Sequence, residues 1–356
     1  MHDVVIRGGT IVDGSGAAAS VGDVAIDGGL IASVGGKAGP ARRVIDADGM
    51  LVTPGWVDVH THYDGQATWD PVLAPSSWHG VTTVLFGNCG VGFAPVRERD
   101  RQNLIDLMEG VEDIPGIVLA EGLKWDWESF PEFLDALERV PRTIDVAAQV
   151  PHHPLRVYVM GDRAIRREAA TADDIAKMRA LTEAALRAGA FGFTTSRTDQ
   201  HKTSEGALVP GRHAEDMELL GIGAALGAAG TGTFGMLSDF DDEAAEFAWM
   251  RQLYRDTGRP LWFLLTDRGS DPARWRRLMG HVHAARDEGA AISAQVGARQ
   301  VGLILGLRTT LNPFTAKPSF VAIERLPWPE RLARLREPGI RAAILAEPSS
   351  EALLAL

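Results

Sequence analysis

His60 and His62 are the residues of this chain best spaced for chemistry. They close the stretch Thr53-Pro54-Gly55-Trp56-Val57-Asp58-Val59-His60-Thr61-His62-Tyr63, whose aromatic and β-branched residues favour a strand. Residues i and i+2 of a strand point to the same side, so the two imidazoles project together from its carboxyl end. Neutral imidazole nitrogen suits Zn²⁺ and related divalent ions. Two solvated histidines at a strand end are the plain alternative. The single cysteine, Cys89, lies in Val84-Leu85-Phe86-Gly87-Asn88-Cys89-Gly90, at the end of the next strand-like run. Its neighbouring glycines let the backbone approach closely. A thiolate is a strong zinc ligand, and coordination keeps it deprotonated. Cys89 therefore reads as a ligand. A buried structural thiol and a nucleophile are the other readings.

Two further strand-like runs end in polar groups. One ends at Val150-Pro151-His152-His153-Pro154-Leu155-Arg156, where one histidine of the pair can face a site and the other a solvated loop. The next ends at Thr194-Thr195-Ser196-Arg197-Thr198, with His201 and Lys202 just beyond. Arg197 has the geometry to clamp a carboxylate bidentately, which would suit an anionic substrate; a structural salt bridge is the competing role. His152, Ser196, Arg197 and His201 are expected to line a substrate pocket rather than to bind metal. His79, His213, His281 and His283 fall in helix or loop contexts and read as surface residues. The run Asp239-Phe240-Asp241-Asp242-Glu243 reads as a solvated helix start, favoured by the helix dipole.

The elements that must position these groups follow a regular rhythm. Candidate strands cover residues 55–60, 82–87, 144–150, 191–196, 233–238, 260–266 and 291–296. Helical patterns lie between them. The clearest opens at Thr171-Ala172-Asp173-Asp174, a capping-box-like start, and stops at Gly189. Others run from about Asp242 to Asp256, stopping at Gly258, and from about Ala273 to Asp287, stopping at Gly289. Repeated βα units imply a parallel sheet buried on both faces. The expected class is α/β, a TIM-like (β/α)₈ barrel, with a doubly wound open sheet as the runner-up. In such a barrel functional groups gather at the carboxyl ends of the strands. Residues 1–52 instead read as a small antiparallel β module, with hairpin signals at Asp13-Gly14 and Asp27-Gly28-Gly29. Residues 53–356 are assigned to the barrel. Only seven barrel strands are visible, and residues 324–356 read as helix and loop.

Composition narrows the function classes. The chain has 356 residues, of which 45% are hydrophobic, enough for a sizeable core. A formal charge of -11 argues against a nucleic-acid footprint. No apolar run approaches the roughly 20 residues of a membrane span. No signal peptide is visible, and one cysteine permits no intrachain disulfide, so a reducing cytoplasm is expected.

With these residues in view, the chain resembles the amidohydrolase superfamily. The small β module followed by Leu51-Val52-Thr53-Pro54-Gly55-Trp56-Val57-Asp58-Val59-His60-Thr61-His62 looks like that superfamily's opening. Gly80-Val81-Thr82-Thr83-Val84 and Gly87-Asn88-Cys89-Gly90-Val91-Gly92-Phe93-Ala94-Pro95 resemble its N-acyl-D-amino-acid deacylase (D-aminoacylase) branch. The segments around His152 and Ser196 fit the same branch. The resemblance implies a β-sandwich module beside a metal-dependent barrel that hydrolyses amide C–N bonds. It also implies that Cys89 takes the place a carbamylated lysine holds in many relatives, with His60 and His62 as its co-ligands. One or two zinc ions, or another divalent metal, would serve as cofactor. The family's further histidines stand at the ends of the fifth and sixth strands. Here those ends read Phe234-Gly235-Met236-Leu237-Ser238-Asp239 and Trp262-Phe263-Leu264-Leu265-Thr266-Asp267. The family's catalytic aspartate belongs to an eighth strand. A truncated chain from a divergent subgroup is therefore expected, incompetent by itself unless Asp239 or Asp267 serves as the base.

The expected function is metal-dependent deacylation of an N-acyl-D-amino acid, with that small molecule as the partner, no nucleic acid or membrane, and homo-oligomerisation allowed. A cyclic-amide hydrolase of the hydantoinase or dihydroorotase type is the alternative enzyme. A non-catalytic ligand-binding barrel is the alternative outside enzymes.

Overall fold

The computed structural model describes residues 1–267, 271–297, 305–309 and 312–348. The chain divides into two compact units, one of residues 1–58 with 75–83 and one of residues 59–74 with 84–356.

The first unit holds a five-stranded sheet. Its strands are β1 (His2–Ile11), β2 (Ser20–Asp27), β3 (Leu30–Val34), β4 (Ala41–Asp46) and β5 (Leu51–Val52). The order is β3-β2-β1-β4, and β5 also pairs with β1. The hairpin at Asp27-Gly28-Gly29-Leu30 forms, with positive φ at both glycines (56° and 81°), as a two-residue turn of the primed kind needs. The sheet is not wholly antiparallel, however. Strands β4 and β5 both run parallel to β1. Against β2 the register of β1 shifts between Ile6 and Gly9, a bulge within one continuous ten-residue strand. The implied β-sandwich is represented by this single sheet among the described residues.

The larger sheet takes its strands in chain order. These are β6 (Trp56–Asp58), β7 (Val81–Phe86), β8 (Asp145–Pro151), β9 (Gly192–Arg197), β10 (Thr233–Ser238), β11 (Leu261–Leu264) and β12 (Ile292–Gln295). Each lies beside its predecessor, in the order β12-β11-β10-β9-β8-β7-β6, and the ladders from β8 to β12 are parallel. A doubly wound sheet reverses direction at a switch point, whereas a barrel adds strands monotonically. The sheet is a curled, parallel half-barrel of the (β/α)₈ kind. Helices connect the strands as the caps foretell. The helix Ala172–Arg187 starts with a reciprocal Thr171–Asp174 capping box. The helix Glu243–Thr257 is capped by Asp242 and ends at Gly258, φ 64°. Aromatic rings fill the space between strands and helices: Phe193 meets Phe234 at 5.2 Å, and Phe234 meets Trp249 at 5.5 Å.

After β12 no further strand occurs among the described residues. The helices Pro318–Val321, Trp328–Arg336 and Pro338–Ala346 follow, with Phe320, Ile323 and Ile344 buried together. The helix read for residues 349–356 lies outside the described residues.

Candidate metal centre

Cys89 is held at the barrel mouth by a strained turn. Its φ is 56°, in the left-handed region that a non-glycine residue seldom visits, and Gly87 and Gly90 beside it have φ of 79° and 71°. Gly87 admits no substitute, because a Cβ there would stand 2.2 Å from the Gln149 carbonyl oxygen. Buried polar contacts then lock the turn. The Asn88 side-chain amide donates to the carbonyls of Thr61 (3.1 Å) and Leu85 (3.0 Å), and the Gly90 N–H donates to Thr194 Oγ1 (3.1 Å). Thr61 sits between the two histidines, so Asn88 ties the thiol loop to the His-x-His segment.

The thiol reaches that segment directly. Cys89 Sγ lies 3.3 Å from His60 Nε2. The ligand atoms of His60, His62 and Cys89 all fall within 4.8 Å of one another. His60 is oriented by Gln295 at the end of β12. Gln295 Oε1 accepts from His60 Nδ1 at 2.6 Å, while its amide donates to the Val59 carbonyl at 3.2 Å. A carbonyl oxygen only accepts, so the His60 proton sits on Nδ1 and the Nε2 lone pair faces the sulfur, the tautomer a metal needs. His62 Nε2 lies 3.2 Å from Glu112 Oε1. Its Nδ1 is buried without a hydrogen-bond partner among the described residues, and so is Asp64 Oδ2, 3.9 Å away. A carboxylate behind a histidine is the usual support of a metal ligand.

The electrostatics suit a cation. Burial lowers His62 and His201 to about 4, so both imidazoles are neutral and able to ligate near pH 7. Burial also raises the Asp64 carboxyl well above its usual range, raises Glu112, and pushes the Cys89 thiol up, helped there by the charges of Glu112 and Asp64. A divalent ion would reverse this, favouring thiolate and carboxylate. Two imidazoles and a thiol whose ligand atoms lie within 4.8 Å of one another, with the Glu112 carboxylate beside His62, make a donor set that fits zinc.

The residues expected in a substrate pocket are divided by the structure. His201 stands in the cluster: with Cys89 and Glu112 it forms a second group of ligand atoms within 4.8 Å. Ser196 is fully buried, and its Oγ bonds His201 Nδ1 at 2.8 Å. His152 is also fully buried. Its Nδ1 bonds Thr195 Oγ1 at 2.8 Å and its Nε2 bonds Glu218 Oε1 at 2.9 Å, so it serves an internal network. Its neighbour His153 leaves Nε2 buried and without a hydrogen bond among the described residues, packed against Gly90 beside the thiol. Arg197 pairs with Asp216 at 2.8 Å and Glu246 at 3.5 Å, so the chain's own acids claim the guanidinium offered to a substrate carboxylate. Asp239, one candidate base, accepts from Thr198 Oγ1 (2.7 Å) and from the Asp199 N–H (2.8 Å).

Three contributors escaped the reading of the sequence. Asp64 shares the two-residue spacing of His60 and His62 and was legible in principle. Gln295 carries the usual signal of a polar residue at a strand's carboxyl end. Glu112 ends the helix Arg101–Glu112, remote from every motif, and carries no local signal.

An amidohydrolase family model matches residues 43–354. N-acyl-D-aspartate deacylase of Alcaligenes xylosoxydans xylosoxydans is 39% identical over 194 residues, 54% of this chain and 36% of that protein. The crystal structure of D-aminoacylase superposes with a TM-score of 0.68 at 30% identity, covering 83% of this chain and 58% of the other. N-acyl-D-glutamate deacylase of Bordetella bronchiseptica, solved with zinc and a phosphonate inhibitor, gives a TM-score of 0.67 at 29% identity, with the same coverage of 83% and 58%. The chain thus spans a little over a third of the length of the deacylase it matches in sequence. Matched by the family model from Arg43 to near its last residue, the chain belongs to the amidohydrolase family.

Proposed function

We propose that this chain carries the metal centre of a zinc-dependent deacylase of N-acyl-D-amino acids. The observation that supports it best is the convergence of His60, His62 and Cys89 within 4.8 Å, at the carboxyl ends of neighbouring barrel strands. The deacylases it resembles supply the substrate class. In this reading His60, His62 and Cys89 hold the ion, and Gln295 and Asp64 orient the two imidazoles. A bound divalent cation supplies Lewis acidity toward the scissile carbonyl and lowers the pKa of water. The chain's part is to hold neutral imidazoles, surrender the thiol proton, and keep the cluster shielded from bulk solvent. A cytoplasmic setting suits a thiol that must stay reduced to ligate.

The test is zinc analysis of the purified chain, followed by assay. Stoichiometric zinc is expected, lost in His60→Asn and His62→Asn. Zinc-loaded chain should release D-aspartate or D-glutamate from the N-acetyl compounds in preference to the L-forms, with hydantoin as a control. A chain that takes up no zinc, or whose hydrolysis ignores both chelator and chirality, overturns the proposal. The assay also decides the expectation that the isolated chain is incompetent.

A further inference from the structure

The carboxyl ends of the barrel strands carry the candidate metal centre, and the opposite ends hold a cavity of a different kind. Its volume is about 440 Å³, and its lining includes Leu134, Glu138, Arg142, Ile144, Asp145 and Phe191. Glu138 is the last residue of the helix Phe130–Glu138, Asp145 is the first residue of β8, and Phe191 directly precedes β9. Strand β8 runs from Asp145 to Pro151, roughly 20 Å at about 3.3 Å per residue, which sets the cavity a strand's length from the mouth. We propose that this cavity binds a free α-amino acid with an apolar side chain, as its zwitterion.

Charge selects that class. Arg142 uses Nε and Nη2 on backbone carbonyls, that of Ala67 at 3.3 and 3.2 Å and that of Leu137. Among the described residues its Nη1 has no hydrogen-bond partner, and no carboxylate pairs with the guanidinium. Burial lowers the Arg142 pKa, a penalty on the charged form that a bound anion would offset. Glu138 and Asp145 are exposed, and their side chains make no ion pair or hydrogen bond among the described residues. Glu138 also ends its helix, where the dipole favours a cation alongside. A simple anion at Arg142 would face two carboxylates, and a simple cation between those would face the guanidinium. A zwitterion matches both, with its carboxylate on Arg142 Nη1 and its ammonium between Glu138 and Asp145. Leu134, Ile144 and Phe191 give its side chain an apolar wall, and Phe191 is 47% exposed, a ring face that a ligand would cover. The volume lies low in the range of roughly 300–1,000 Å³ usual for small-molecule pockets, which suits one amino acid.

Calorimetry on the full chain, stripped of metal with EDTA at neutral pH, tests this. L-leucine and D-leucine are titrated separately, beside N-acetylleucine, which lacks the ammonium, and leucinamide, which lacks the carboxylate. Saturable binding of one molecule per chain is expected for at least one enantiomer, and each analogue should bind about tenfold more weakly, having lost a charged hydrogen bond. Glu138→Gln combined with Asp145→Asn removes two exposed carboxylates without partners, so the fold is kept and leucine should bind about tenfold more weakly. Arg142→Gln should abolish binding. It also frees two backbone carbonyls, so the acid double variant decides should Arg142→Gln fail to fold. Failure of both enantiomers to bind, equal binding of leucine and N-acetylleucine, or unchanged binding in the acid double variant overturns the site. Binding lost in His62→Asn would put the amino acid at the mouth and overturns it as well. The proposed deacylation would release a molecule of this class, but the metal-free measurement is independent of that reading, so either can fail without the other.

Discussion

At the scale of single residues, the centre turns on which groups carry protons. Without a cation the Cys89 thiol is held above its ordinary range, by burial first and then by Glu112 and Asp64. His62, lowered to about 4 by burial, carries no proton at neutral pH. Metal entry must therefore expel the thiol proton, and that of Glu112 where its raised carboxyl still holds one. The metal-free chain binds more protons than the metal-bound one, so raising the pH favours the bound form, by up to about tenfold per pH unit for each proton released. We expect the rise in Tm on adding zinc to be larger at pH 8 than at pH 6. An equal rise at both would remove the thiol from the ligand set. The thiol would then be a buried structural one, as Cys89 also allowed.

At the scale of elements, the barrel places its mouth with buried polar braces as well as apolar packing. The helices His152–Met160 and Asp216–Ala229 are joined through Glu218, which accepts from Arg156 Nε at 2.6 Å and bonds His152. Burial would raise the Glu218 carboxyl, but the hydrogen bonds and charges of His152 and Arg156 outweigh it and hold it at about 2. Its ordinary value is 4.5, so between those two values the unfolded chain binds the proton and the folded chain does not. The brace is therefore at full strength above pH 4.5 and is lost as the pH falls toward 2. Burial also lowers His152, which adds a loss in the same direction below the usual imidazole range. Glu218→Gln strands Arg156, which is only 1% exposed. We expect it to cost about 3–5 kcal/mol at pH 7, the usual penalty for breaking a buried ion pair. Its stability should then fall less steeply than that of the unaltered chain between pH 4.5 and 3. Urea unfolding at pH 7, 4 and 3 measures both effects, and parallel acid limbs would show that Glu218 is not the acid-sensitive brace.

At the scale of the whole molecule, the small sheet presents an open edge. Strand β3 is terminal in the order β3-β2-β1-β4 and exposed along its length, with Leu30 76% and Ile31 68% exposed. Exposed edge strands with apolar side chains pair readily with other chains. Ile31 and Val34 are open, whereas Val24 on the neighbouring strand is covered. We predict concentration-dependent self-association in sedimentation velocity, weakened by Ile31→Lys. A monodisperse monomer at about 100 µM would show that the edge is harmless. Among the described residues no helix is long and apolar enough to cross a membrane.

The chain in order determined everything that depends on near neighbours. Strand periodicity placed β10 at Thr233–Ser238 to the residue, and capping chemistry placed the helix after Thr171, because side-chain direction and end caps are settled within a few residues. The same locality set His60 and His62 on one side of one segment. It could not tell that β4 and β5 would run parallel to β1, since strand direction in a sheet depends on which partners the chain returns to. Nor could it tell that Arg197 would be claimed by Asp216 and Glu246, or His152 by Glu218, because those acids lie on helices from elsewhere in the chain. Glu112, His201 and Gln295 join the centre only because a curled sheet brings a helix end, a loop and its last strand to one point. Ligation is a property of convergence in space, and residues 235 positions apart, such as His60 and Gln295, acquire it through tertiary packing.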